Sequence, residues 1–95
     1  MIIMKTQNFS EEYLQGLGHR IKIVRTFIKL DQRQMAKRMK TGQSQISKIE
    51  SGRSAPTLHQ LFTIKKIADE EDYLRENLSW EWLLEGKGSG LIQRH

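Results

Sequence analysis

The stretch QMAKRMKTGQSQISKIESG, residues 34–52, decides the fold. It holds two short helical patterns with a glycine between them. Met35, Ala36 and Met39 fall on one face of a helix that starts at Gln32, with Asp31 placed to cap its free amides. Ile46 and Ile49 fall on one face of a second helix, running from Gln43 to about Glu50. Gly42 can turn the chain or cap the second helix at little steric cost, and Gly52 suits the left-handed position that ends it. Ala36 is small enough to let the two helices cross closely. Two short helices on a tight joint describe a helix-turn-helix.

Working outward, helical spacing continues on both sides. Leu17, Ile21, Val24 and Ile28 predict an amphipathic helix over 17–29. Ser10 can cap a separate short helix through Tyr13 and Leu14. Pro56 and Thr57 open a helix whose buried side is Leu58, Leu61, Ile64, Ile67 and Ala68. The acidic run at 69–77 either extends that helix or forms its own turn. Leu78 to Leu84 reads as a short apolar helix with Ser79 as its cap. The expected fold is all-α, a compact bundle of about five helices. Its parts are a lead segment (1–16), a helix-turn-helix domain (17–68), a helical extension (69–86) that packs on the domain or forms a dimer surface, and a flexible tail (87–95).

Charge points to the partner. Net charge is +5, and residues 20–53 hold ten basic side chains against two acids, Asp31 and Glu50. That concentration favours a polyanion, nucleic acid first. The outward face of the second short helix carries Gln43, Ser44, Gln45, Ser47 and Lys48. Glutamine can bond the edge of adenine in two places, and lysine can donate to guanine. Serine and glutamine also donate to phosphate.

Other classes find little support. The chain has no cysteine, which favours a reducing, intracellular setting. No apolar run approaches the ~20 residues of a membrane span. His19, His59 and His95 are scattered, so neither a metal site nor catalysis is expected. GKGSG at 86–90 lacks the spacing of a phosphate-binding loop. No cofactor and no small-molecule substrate are expected.

From Leu17 to Ala68 the chain resembles the lambda-repressor/Cro-like (Xre) family. The matching residues are Gln32, Ala36, Ile46, then ISKIESG at 46–52, then Pro56. WLLEGKG at 82–88 resembles the closing helix of many such domains. The resemblance implies a sequence-specific, cytoplasmic regulator of bacterial, archaeal or phage origin that binds double-stranded DNA, a repressor acting as a homodimer. It implies base reading by Gln43, Ser44, Gln45 and Lys48, and phosphate binding by Gln32, Ser47, Ser51, Gly52 and Arg53. Arg25 and Glu50 match a structural ion pair. Some relatives are antitoxins, so a toxin or regulator protein is the alternative partner; Trp80, Trp82, Leu83 and Leu84 either simply close the core, the preferred reading, or form the surface for such a partner. The family usually has glycine, an apolar residue, then serine or threonine across the turn. Here Lys40, Thr41 and Gly42 stand there, so either the glycine is displaced or the turn is altered.

Overall fold

A computed structural model describes residues 9–88. The expected tail beyond Gly88 and the first eight residues of the lead segment lie outside them. Among the described residues there are six helices and no strand: α1 (Glu11–Phe27), α2 (Gln32–Met39), α3 (Gln43–Ser51), α4 (Leu58–Ala68), α5 (Asp72–Asn77) and α6 (Trp80–Glu85).

The first helix differs from the expected one. The Ser10 hydroxyl accepts the Tyr13 amide at 3.0 Å, and from there α1 runs unbroken to Phe27. The short turn after Ser10 and the helix expected at 17–29 are therefore one helix. It stops early because Lys29 turns left-handed, at φ 62°. The acidic run also resolves. Glu71 caps a separate helix, α5, so the count is six instead of about five.

Caps set most of the other boundaries. Asp31 and Gln34 form a reciprocal capping box at the start of α2, as do Thr57 and Gln60 at α4. Each pair satisfies two amides that a helix start leaves free. Ser79 caps α6 through the Trp82 amide, at 3.0 Å.

Apolar residues from all six helices meet in one core. Leu17, Ile21 and Val24 of α1 join Met35, Ile49, Ile64, Ile67, Ala68, Leu74, Leu78, Trp82 and Leu83. Each large aliphatic side chain buried here contributes roughly 1.5–3 kcal/mol. The α1–α3 crossing is close because Gly18 has no side chain. A Cβ there would fall on the carbonyl oxygens of Ile49 and Glu50. The last turn of α6 is tied to the same helix. Arg20 donates to the carbonyls of Leu83 (2.8 Å) and Leu84 (3.1 Å), and the Tyr13 hydroxyl donates to Leu84 at 2.8 Å. These bonds satisfy carbonyls that the last turn of α6 leaves without helical partners.

Candidate nucleic-acid interface

The joint between α2 and α3 is made by Lys40, not by a glycine. Lys40 is left-handed, at φ 58° and ψ 45°. Its amide donates to Lys37, and the Thr41 amide reaches back to Ala36 at 2.9 Å. This pair of bonds closes the last turn of α2 and reverses the chain. Gly42 is an ordinary extended N-cap of α3, at φ −87°. The glycine is thus not displaced; a lysine takes the conformation that glycine adopts more readily.

Behind α3, three side chains hold it in place. Arg25 and Glu50 are both buried and pair through two bonds, Nε to Oε2 at 2.6 Å and Nη2 to Oε1 at 3.0 Å. The third nitrogen of Arg25 donates to the Leu30 carbonyl at 2.8 Å. Gln32 donates its amide to Oε1 of Glu50 at 3.0 Å. One carboxylate on α3 therefore binds α1 and the first residue of α2 together. This two-pronged geometry fixes orientation as well as distance.

In front, the helix is polar. Ile46, Ile49 and Glu50 face inward. At 100° per residue, Ser44 and Lys48 then sit at the centre of the outward face. Both are exposed, as is Gln43. Gln43 and Gln45 lie at its two edges. Gln43 borders a shallow cavity of about 460 Å³ with Arg25, Asp31, Gln32 and Arg33. Gln45 is half-buried, its amide 3.5 Å from the Ser54 hydroxyl. Ser47 is half-buried between the centre and the Gln43 edge.

The loop after α3 is organised around Gly52, left-handed at φ 84°. It is closed in, since a Cβ there would come within 2.7–2.9 Å of Gln15. The Arg53 amide reaches back to Lys48 at 2.9 Å. Ser51 donates its hydroxyl to the Lys48 carbonyl at 3.1 Å and accepts from Arg53 Nε at 3.1 Å. Arg53 is exposed and held at the end of α3.

Two features had no assigned role in the sequence reading. Arg33 lines the cavity beside Gln32, at the start of α2 where free amides favour anions. Its signal was available, two residues after the Asp31 cap. The second is a groove of about 570 Å³ between the joint and α4, lined by Lys40, Thr41, Thr57, His59, Thr63 and Lys66 among others. Its residues come from two separate stretches, so nothing local announces it. No group of three or more potential metal ligands occurs among the described residues. No helix among them is long and apolar enough to cross a membrane.

Comparison with known proteins agrees with this geometry. A family model described as a helix-turn-helix domain matches residues 18–89. No curated protein and no solved structure matches the chain. The match takes in the joint, its bracing pair and the helices that follow, and the chain belongs to the helix-turn-helix domain family.

Proposed function

We propose that this chain is a sequence-specific regulator of transcription, a cytoplasmic repressor that sets α3 into the major groove of double-stranded DNA. The observation that carries this reading is the contrast between the two sides of α3. Its back is clamped by Arg25, Glu50 and Gln32, while Gln43, Ser44 and Lys48 are left exposed in front. A helix so held can present donors and acceptors to base edges in a fixed register.

In this reading Gln43, Ser44 and Lys48 contact bases, with Gln45 at the margin near Ser54. Gln32 combines two tasks: one amide N–H goes to Glu50, and the second serves a phosphate. Arg33 adds charge beside it. Ser47, Ser51, the Gly52 amide and Arg53 hold the backbone at the other end of the helix. Binding, not catalysis, is the activity. A pair of copies reads two half-sites.

The test is selection from a random duplex pool at near-physiological salt, followed by sequencing. An enriched motif with two inverted halves is expected. Replacing Gln43 with alanine should then cost ~1–3 kcal/mol at the selected site and relax preference at one base pair. Recovery of no motif would overturn sequence reading and reduce the basic face to an electrostatic anchor.

A further inference from the structure

The groove between the joint and α4 has a volume of about 570 Å³, inside the ~300–1,000 Å³ range of small-ligand sites. Its walls come from two elements. The end of α2 contributes Arg38, Lys40 and Thr41, while α4 and its cap contribute Thr57, Thr63 and Lys66. Thr63 and Lys66 are three residues apart, so they share one side of the helix. One acid lines the groove, Glu70, and Arg38 already bonds both of its oxygens, at 2.8 and 2.7 Å. Lys40 and Lys66 are exposed and make no ion pair among the described residues. With the Arg38–Glu70 pair set aside, each wall carries one lysine without a counter-charge.

Lys40 is unusual in a second way. It holds φ 58° and ψ 45°, a conformation that glycine adopts with less strain. Strain of this kind collects at binding sites, where a side chain has a task. The fold itself uses only the backbone of Lys40, whose amide donates to Lys37. Its ammonium group has no hydrogen-bond partner among the described residues. The hydroxyls on the walls divide in the same way. Thr63 spends its hydrogen on the His59 carbonyl, at 2.8 Å. Thr57 only accepts, from the Gln60 amide at 3.0 Å. The Thr41 hydroxyl makes no hydrogen bond among the described residues. Thr41 and Thr57 therefore each keep a hydrogen to donate.

We propose that this groove binds the terminal phosphate of a small phosphorylated molecule. Such a group carries a charge of about −1.5 to −2 and three acceptor oxygens. Two lysines and two free hydroxyl hydrogens answer both properties. Lysine suits the task, being a compact point charge on a flexible stem. A carboxylate brings a single charge and leaves one lysine unanswered. A phosphate of the DNA backbone also bears one charge, so the pair of lysines favours a terminal phosphate over a backbone one. An apolar ligand would strip water from both ammonium groups without replacing it. The bound phosphate would tie the end of α2 to α4 across the joint that leads into Gln43. This site does not rest on the DNA reading given above.

The experiment is an NMR titration of the full, isotope-labelled chain with inorganic phosphate at neutral pH. Chloride is exchanged for phosphate so that ionic strength, and hence screening, stays fixed. Saturable shifts are expected at the amides of Lys40, Thr41 and Thr57, half-complete at roughly 1 mM. Lys40→Gln and Lys66→Gln remove one charge each, and each should weaken binding roughly tenfold or more. Lys22, exposed on α1, lies outside the groove; Lys22→Gln removes the same charge and should change binding by less than about twofold. Shifts that spread over the basic surface without saturating overturn the proposal, as does an equal loss in Lys22→Gln. A second arm separates the two sources of phosphate. The phosphate-loaded chain is titrated with the duplex it selects. Phosphate should stay bound, and Lys66→Gln should leave duplex affinity within about twofold. Displacement of phosphate by duplex, with duplex affinity lost in Lys66→Gln, would make the groove a backbone contact and overturn the small-molecule assignment. Failure to select any duplex would sink the DNA reading and leave the phosphate result standing.

Discussion

Single residues set the geometry of the joint and its brace, and Lys40 is the plainest case. A non-glycine residue in the left-handed region costs roughly 1–2 kcal/mol. Lys40→Gly removes that cost, less the extra freedom that glycine gives the unfolded chain. The expected result is a gain of up to ~1 kcal/mol in denaturant unfolding, with somewhat weaker DNA binding from the lost charge. Lower stability would mean that the lysine side chain contributes packing at the joint. Glu50 works in the opposite sense. Glu50→Gln leaves Arg25 buried without its counter-charge, and breaking such a pair costs ~3–5 kcal/mol. Arg25→Ala should fall in the same range, because it also strands the Leu30 carbonyl. If either variant melts like the wild type, the bracing role is wrong. The Arg25–Glu50 contact could be anticipated only through the family resemblance. Residues 25 apart have no local signal of contact.

At the scale of the element, α2 and α3 were legible almost to the residue. Both have an apolar stripe and a recognisable start or stop, Asp31 before α2 and Gly52 after α3. The start of α1 was not, because periodicity becomes visible only from Leu17, where burial begins. Residues 11–16 are held chiefly by the Ser10 cap and by Tyr13. Gly18 belongs to this scale, since it governs how two helices approach. Gly18→Ala places a methyl against the backbone of α3, which cannot move aside as a side chain would. Destabilisation of ~1–3 kcal/mol or more is expected from such overpacking, together with weaker DNA binding as α3 tilts. An unaltered melting temperature would show that the two helices can separate freely. The groove between Lys40 and Lys66 was beyond the sequence for a simple reason. It exists only because α2 and α4, far apart in the chain, end side by side.

Over the whole molecule, charge is the property on which the proposed function rests. Ten basic side chains fall within residues 20–53, and of these Lys48 and Arg53 stand exposed on α3 and the loop after it. Arg53→Ala should weaken binding to all duplexes alike and lower the slope of log K against log salt by about one. A change confined to one sequence would instead make Arg53 a base reader. This charge pattern was legible without any structure, because composition survives folding. The exposure of Leu58 was not: it was expected on the buried side of α4 because it fits the apolar stripe as well as Leu61 does, yet the packing leaves it 69% exposed. The tie between α1 and α6 has a last consequence. Tyr13 and Arg20 bond carbonyls that lie 71, 63 and 64 residues further on. Those bonds cannot form on the ribosome until α6 has emerged from the exit tunnel. The segment proposed to read DNA is therefore synthesised well before α6 can dock on α1 and complete the core beneath it.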